Sequence, residues 1–278
     1  MLAQIRTLRW WIWGLVCICN IQYGSAQELL VNVYGRQYTL LNGKWNAIID
    51  PYQQGRKTAI YRNRALKDKA DFKEYAFEGG LRLNVPSDWN SQIPELKYYE
   101  GTMWYARKFE INKKSDENLF LYFGAVNYRC RVYLNGTLIG SHEGGFTPFQ
   151  FNVTNVVKEG GNFLAVEVDN TRTADAIPAL SFDWWNYGGI TRDVMLVHTP
   201  KNYIRDYFIQ LDKYDSDRVH AEVQLSAQNA GQLVKIEIPE LKIANKVFTD
   251  GTGLAKATFR VRNLERWSPQ APKLYQVI

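Results

Sequence analysis

The sequence is poor in the residues that build disulfides and metal sites. It contains 3 cysteines and 3 histidines in 278 residues. Cys17 and Cys19 fall in an N-terminal segment that we expect to be removed, so Cys130 is left without an internal disulfide partner. It lies on the apolar side of a predicted strand, which indicates a small core residue rather than a nucleophile. No Cys-x-x-Cys pair, histidine cluster or nucleotide-binding glycine motif is present, so neither a structural zinc ion nor a cofactor is expected.

The chain also has only a small excess of positive over negative charges. The formal net charge is +6, and two of the positive charges, Arg6 and Arg9, lie near the N-terminus. The densest basic stretch, residues 56–73, is interrupted by Asp68 and Asp71. A nucleic-acid-binding face needs a longer basic run, so binding to nucleic acid is not expected.

The longest apolar stretch, residues 10–18, is too short to span a bilayer as a helix. It follows the basic pair Arg6 and Arg9 and precedes the small residues 24–26. This order is typical of a secretory signal covering residues 1–26. We therefore expect an exported protein, periplasmic or extracellular, and favour simple export over lipid anchoring at Cys17 because the bulky Val16 precedes it.

A helical period is absent from the rest of the chain, whereas aromatic residues are abundant, with 9 Trp, 17 Tyr and 13 Phe. Short alternating segments separated by Gly, Pro and Asn turns predict an all-β sandwich. The predicted strands cover residues 100–109, 119–124, 162–170, 190–197, 207–211, 218–225, 233–238 and 255–261. The segment 198–201 is predicted to be the boundary between two β domains.

The clearest local signal is a hairpin centred on Asn135-Gly136. A two-residue type I′ turn needs two positive φ angles, which this dipeptide adopts readily. On the entering strand, Cys130, Val132 and Leu134 share one face, and Arg129, Arg131 and Tyr133 share the other. The leaving strand ends in residues 142–149, where two glycines and Pro148 predict a corner.

Four segments carry a family resemblance: VYLNG at 132–136, HEGGFTPF at 142–149, SFDWWNYGGITR at 181–192 and WSPQAPKLY at 267–275. The chain resembles glycoside hydrolase family 2, the family of β-galactosidases, β-glucuronidases and β-mannosidases. The resemblance implies a jelly-roll, galactose-binding-like β-sandwich over residues 27–200. It further implies an immunoglobulin-like β-sandwich over residues 201–278, truncated relative to the family pattern.

In that family, catalysis uses two glutamates of a TIM barrel that follows the immunoglobulin-like domain, in a retaining mechanism. The acid/base glutamate lies in an Asn-Glu dipeptide, and no such dipeptide occurs here. No βα repeat follows residue 200 either. We therefore expect this chain to contain no catalytic residue, to be inactive alone, and to have the missing TIM barrel as its partner.

The resemblance implies a substrate-contacting loop with Asp183, Trp184, Trp185 and Asn186. Asp183 occupies the position that contacts the substrate sugar in β-glucuronidases, and a tryptophan offers a flat face to sugar C–H groups. An alternative pairs Asp183 with Arg192 or a turn donor, and domain packing is an equal explanation for the other three residues. Glu143 is interpreted as a cap for backbone donors beside Gly144-Gly145.

Together these features predict the N-terminal portion of an exported retaining exo-β-glycosidase. Its ligand would be the terminal β-linked sugar of a galactoside or glucuronide, with the loop favouring the glucuronidase type. A free-standing carbohydrate-binding module and a structural protein at the cell surface are the alternatives. The oligomeric state stays open, and a homo-oligomer is compatible with the pattern.

Overall fold

The computed structural model describes residues 28–64, 75–262 and 264–278. The predicted signal segment, with Cys17 and Cys19, lies outside the described residues. Strands dominate: β1 (Tyr38–Leu40), β2 (Gly43–Ile49), β3 (Leu81–Val85), β4 (Ser87–Asp88), β5 (Thr102–Ile111), β6 (Glu117–Phe123), β7 (Val126–Asn127), β8 (Arg129–Leu134), β9 (Thr137–Glu143), β10 (Phe149–Asn152), β11 (Gly160–Asp169), β12 (Gly189–Ile190), β13 (Val194–Pro200), β14 (Ile204–Leu211), β15 (Arg218–Leu225), β16 (Leu233–Ile238), β17 (Ile243–Phe248) and β18 (Leu254–Arg260). Short 3-10 turns lie at Val33–Gly35, Ile60–Arg62, Pro94–Leu96 and Pro239–Leu241. The predicted all-β class is confirmed.

Two antiparallel sheets form the first sandwich. The larger sheet has the order β3-β2-β5-β11-β8-β9, and the smaller has the order β1-β13-β6-β10. Alternate residues of each strand point into the space between the sheets. This core includes Trp45, Leu164, Val166 and Leu196, all fully buried, and the predicted core position of Cys130 is confirmed because that residue is buried as well. Burial raises the pKa of the Cys130 thiol to about 12, so the thiolate does not form near neutral pH.

The predicted hairpin is confirmed, with φ angles of 52° at Asn135 and 82° at Gly136. Tyr133 shares a face with Arg129 and Arg131, as predicted, and it is buried. It stacks on Tyr61 with a ring-centroid distance of 4.3 Å, and Trp104 lies 5.6 Å away. The turn at Ile60–Arg62 therefore covers part of the outer face of the large sheet with a second apolar cluster.

The closing strand predicted over residues 190–197 is wrong as a continuous element. β12 pairs with β4 and β7 in a small three-stranded sheet, whereas β13 belongs to the smaller sheet of the sandwich. Gly189 has a φ of 143°, and a Cβ atom there would lie 2.8 Å from the Ser87 carbonyl oxygen. Only glycine fits that approach, so the close pairing of β12 with β4 depends on Gly189.

The second sandwich packs the β14-β15-β18 sheet against the β16-β17 hairpin. Its core joins Ala221, Val223 and Ala255 from one sheet with Val234 and Ile236 from the other. The four predicted strands of this region are confirmed. β17 was not predicted, because Asn245 and Lys246 in its centre hide the alternation.

Candidate functional site

The connection between β11 and β12 carries a dense group of exposed apolar side chains. We call residues 177–187 the aromatic arm. Its exposed large side chains are Ile177, Leu180, Phe182, Trp184, Trp185 and Tyr187, with between 42% and 66% of each accessible. Folded domains seldom leave contiguous apolar surface of this kind uncovered, so the aromatic arm marks a surface for a ligand or another domain.

Asp183 lies in the exposed part of the aromatic arm, between Phe182 and Trp184. The Arg172 guanidinium donates to the Phe182 carbonyl at 2.9 Å and to the Trp184 carbonyl at 3.2 Å. Its Nε also donates to Glu100 at 2.9 Å. The backbone on both sides of Asp183 is thus held in place.

The Asp183 carboxylate itself makes no hydrogen bond or ion pair with the residues that the structure describes. The alternative pairing with Arg192 is not formed, since Arg192 donates to the Phe146 carbonyl at 3.0 Å. A fixed backbone with a free carboxylate is suited to accepting hydrogen bonds from an incoming ligand.

Aromatic rings flank Asp183 on both sides along the chain. Trp184 stacks on Phe182, with a centroid distance of 4.8 Å and an interplanar angle of 22°. Trp185 packs against Tyr98 at 5.4 Å and Tyr187 at 6.1 Å. These contacts hold the rings while leaving 51% of Trp184 and 42% of Trp185 accessible, so both present apolar faces to a ligand or a docked domain.

Asn186 is placed differently from the other three predicted residues, because it is buried at the base of the aromatic arm. Its side-chain amide donates to the Asn170 carbonyl, and Asn170 Nδ2 donates to the Asn186 carbonyl at 2.9 Å. Asn127 Nδ2 donates to Asn186 Oδ1 at 3.2 Å. Asn186 is thereby assigned to anchoring the aromatic arm rather than to its exposed surface.

A further asparagine fixes the point where the aromatic arm rejoins the sheet. Asn90 Oδ1 accepts from the Gly188 amide at 2.9 Å, and Asn90 Nδ2 donates to the Leu96 carbonyl at 3.0 Å. Gly188 also accepts from the Trp89 amide at 2.8 Å. Sequence reasoning missed Asn90, Asn170 and Arg172, and the only available signal was the placement of the asparagines next to predicted strand ends and turns.

A shallow groove of about 530 Å³ runs beside the aromatic arm. Trp185 and Tyr187 form one wall, and residues 90–94 with Lys97 form the other. The volume lies within the range of small-molecule sites, but its charged groups are too few to carry out chemistry alone.

The interpretation of Glu143 as a backbone cap is wrong. The Gly144 amide donates to the Tyr128 carbonyl at 3.0 Å instead, and the exposed Glu143 side chain lies opposite Arg129 in the β8–β9 register. Over residues 28–64, 75–262 and 264–278, no group of three potential metal ligands is close enough to hold an ion. Within the same ranges, no helix has the length and apolar character needed to cross a membrane.

The described residues thus combine two β-sandwiches with an exposed aromatic arm that carries Asp183. The family model described as "Glycosyl hydrolases family 2, sugar binding domain" matches residues 39–200. The model described as "Glycosyl hydrolases family 2" matches residues 202–278. The chain therefore belongs to glycosyl hydrolase family 2, and the resemblance recognised in its motifs is confirmed.

Similar proteins include the beta-glucuronidase of Rattus norvegicus, 26% identical over 95% of this chain and 44% of its own length. The beta-galactosidase of Thermoanaerobacter pseudethanolicus is 30% identical over 78% of this chain and 31% of its own length. The solved Bifidobacterium dentium beta-glucuronidase complexed with coumarin-3-O-glucuronide superposes with a TM-score of 0.71, at 25% identity, over 87% of this chain and 44% of its own. The chain thus spans less than half the length of each of these relatives.

Proposed function

We propose that this chain is the N-terminal, non-catalytic portion of an exported retaining exo-β-glycosidase of the β-glucuronidase or β-galactosidase type. Its role is to brace a catalytic TIM barrel and to present Asp183 at the rim of the sugar pocket. The observation that carries the proposal is the exposed, unpaired carboxylate of Asp183 on a backbone clamped by Arg172.

The chemistry of the aromatic arm fits binding rather than cleavage. A carboxylate accepts hydrogen bonds from two sugar hydroxyls, and the half-exposed Trp184 and Trp185 cover the C–H faces of a ring. A retaining glycosidase needs two carboxyl groups roughly 5–5.5 Å apart. Glu100 is bound by the same Arg172 that holds the backbone beside Asp183, so this carboxylate is engaged in an ion pair. Hydrolysis is therefore assigned to a barrel outside these 278 residues.

The substrate proposed is a terminal β-linked glucuronide, with a β-galactoside as the second choice. The residues of the aromatic arm resemble the β-glucuronidase loop, and relatives named beta-glucuronidase and beta-galactosidase both occur among the similar proteins. The carboxylate of a glucuronide would need a cation from the barrel, because Asp183 would repel it. Export is proposed on the pattern of residues 1–26, which is typical of a secretory signal.

The proposal is tested with residues 27–278 joined to the part of the Rattus norvegicus beta-glucuronidase that this chain does not match. We expect Asp183→Asn to lower kcat/KM by about ten- to a hundredfold, mainly through KM, because lost hydrogen bonds to a charged group cost about 1.5–3 kcal/mol. The matched control is Asp175→Asn, a solvent-exposed aspartate of the same connection. Equal values for Asp183→Asn and Asp175→Asn would show that Asp183 does not contact the sugar.

A free-standing carbohydrate-binding module is the second candidate, because Trp184 and Trp185 are already exposed in the chain by itself. It predicts that the purified chain binds an oligosaccharide with micromolar to millimolar affinity and loses this binding on Trp184→Ala. Our proposal expects no Trp184-dependent binding until the barrel is present. Isothermal titration of wild type and Trp184→Ala with a glycan panel separates the two.

A further inference from the structure

The N-terminal end of the described chain lies on the outer face of the smaller sheet of the first sandwich. We call residues 28–36 the N-terminal strap. Its apolar side chains join outward-facing residues of β6 and β13 in a separate buried cluster: Leu30, Val33, Phe120, Tyr122, Met195 and Val197. Gln150, itself buried, accepts from the Leu30 amide at 3.3 Å and donates to the Glu28 carbonyl at 2.9 Å. Packing and hydrogen bonds therefore both dock the N-terminal strap on the first sandwich.

The linker between the sandwiches changes partners between Lys201 and Asn202. On the side of the first sandwich, Asn118 Nδ2 donates to the Lys201 carbonyl at 3.3 Å, and Lys201 Nζ donates to the Glu117 carbonyl at 3.2 Å. On the side of the second sandwich, Asn202 Oδ1 accepts from the Ala227 amide at 3.1 Å. The junction of Lys201 and Asn202 is thus the hinge about which one sandwich can turn relative to the other.

The N-terminal strap reaches across this hinge through Arg36. Arg36 Nε donates to the Val31 carbonyl within the N-terminal strap at 3.0 Å, and Arg36 Nη2 donates to the Ile204 carbonyl at 2.7 Å. Ile204 is the first residue of β14 in the second sandwich. The guanidinium also lies over the Tyr203 ring, 5.8 Å from its centroid. A planar guanidinium binds two carbonyls at once in a fixed geometry, so Arg36 ties the N-terminal strap to the far side of the hinge.

A second contact crosses the hinge at the beginning of the N-terminal strap. Glu28 Oε2 lies 3.2 Å from Arg205 Nε, in an ion pair that is partly exposed to solvent. Exposed pairs of this kind add little by themselves. Arg36 is half-buried, and this burial lowers the pKa of its guanidinium, which nevertheless stays charged at neutral pH. Because shielding from water strengthens hydrogen bonds, Arg36 contributes more than Glu28 to holding the second sandwich.

We propose that the N-terminal strap locks the hinge: by binding the first sandwich and the start of β14 together, it fixes the orientation of the second sandwich relative to the first. Each sandwich has a core of its own, so the lock sets their orientation rather than the folding of either one. The N-terminal strap is separate in sequence from the aromatic arm, and this inference does not depend on the function proposed for Asp183.

The test measures the distance between two spin labels, one on each sandwich, by pulsed electron paramagnetic resonance. The protein is the chain from Gln27 to Ile278 with Glu110→Cys in β5 and Lys246→Cys in β17, both at exposed positions. Cys130 is buried and stays unlabelled. We expect one narrow distance distribution. Arg36→Ala should widen it about twofold or more, because the second sandwich then turns about the hinge.

Arg62→Ala is the matched control, because the Arg62 guanidinium lies in a similar way over Tyr61, 5.9 Å from the ring centroid, on the larger sheet. Glu28→Gln is a second variant that leaves the buried cluster under the N-terminal strap intact. It should widen the distribution by a smaller amount, and it decides the question if Arg36→Ala does not fold. The proposal is overturned if the labelled protein without these substitutions already gives a broad distribution, if neither Arg36→Ala nor Glu28→Gln widens it, or if Arg62→Ala widens it as much as Arg36→Ala.

Discussion

Individual polar residues at the base of the aromatic arm determine where its exposed side chains lie. Arg172 binds two carbonyls of the aromatic arm, and Asn170 and Asn186 exchange hydrogen bonds at its base. These bonds satisfy backbone groups of a segment that has no sheet partners, so the loop holds one conformation without a strand ladder. The residues that would touch a ligand and the residues that hold the loop are therefore different sets.

Arg172→Ala should loosen the aromatic arm without unfolding the sandwich. Hydrogen bonds from a charged donor are worth about 1.5–3 kcal/mol, so amides of residues 182–185 should exchange with solvent about ten to a hundred times faster. Hydrogen–deuterium exchange measures this directly. Arg192→Ala, which removes a bond to Phe146 instead, is the control, and similar acceleration in both variants would contradict the clamp.

Glu117 should make the stability of the first sandwich dependent on pH. Burial by itself would raise the pKa of Glu117, but hydrogen bonds from the Lys114 amide and from His198, whose Nδ1 lies 2.9 Å away, lower it below 4.5. A lowered folded-state pKa means that the unfolded chain binds more protons near this pH. The contribution of Glu117 is therefore present above about pH 4.5 and lost as the pH falls through the folded-state value.

Urea unfolding of wild type and Glu117→Gln between pH 3 and pH 7 tests this dependence, and the variant should be about 1–3 kcal/mol less stable at neutral pH. The difference between the two free energies of unfolding should shrink as the solution is acidified. Two curves that stay parallel over the whole range would show that Glu117 is not the responsible group.

At the scale of elements, the β8–β9 hairpin sets which polar side chains lie together at the edge of the larger sheet. Its two-residue turn pairs Leu134 with Thr137, and farther along the hairpin Arg131 lies beside Ser141. A β-bulge between Val132 and Tyr133 shifts the register by one residue, and this shift decides which β9 side chains share the face of the arginines.

Gly136→Ala should destabilise the chain by about 1 kcal/mol, because alanine disfavours the positive φ of 82° at this position. The nearest atom to an added Cβ is Arg62 Cγ at 3.5 Å, so sterics add little. Gly161→Ala is the matched control, since its φ is not positive and nothing lies within 4 Å of the added atom. Thermal unfolding of both variants should show a loss only for Gly136→Ala.

The described residues contain four buried apolar clusters, of which the largest fills the first sandwich and another fills the second sandwich. The core of the second sandwich is much smaller than that of the first. Tyr203, in the linker between the sandwiches, packs edge-on against Phe120 of the first sandwich, with a ring-centroid distance of 5.7 Å. Chains with two cores commonly violate two-state unfolding. The larger core, with more apolar area buried, should persist to the higher temperature.

Calorimetry should therefore resolve two transitions. Ile236→Ala in the second sandwich should lower the midpoint of the low-temperature transition, and Leu196→Ala in the first sandwich should lower the midpoint of the high-temperature transition. Each variant should reduce the free energy of unfolding of its own sandwich by about 2–5 kcal/mol. Both side chains are at most 2% accessible. A single transition that both variants shift equally would mean that the two sandwiches unfold as one unit.

Much of this organisation was accessible from the sequence. The alternation in β11 and β15, the Asn135-Gly136 turn and the apolar face of Cys130 are local patterns, and local patterns survive in the fold because a strand repeats every two residues. The family resemblance was also recognised from contiguous motifs, which can be read directly from the sequence. The split of the predicted closing strand into β12 and β13 was not accessible, since it depends on which sheet each half joins.

The sequence by itself determined the all-β class, the main strands, the membership of glycosyl hydrolase family 2 and the acidic, tryptophan-rich character of the aromatic arm. Only the tertiary structure decided that Asn186 anchors that arm while Asp183 stays free, and that the buried Glu167 pairs with Arg56 and Arg131. The physical reason is distance along the chain. Asn127 and Asn186, or Arg56 and Glu167, interact only after sheets have brought remote segments together, and no local period encodes such a meeting.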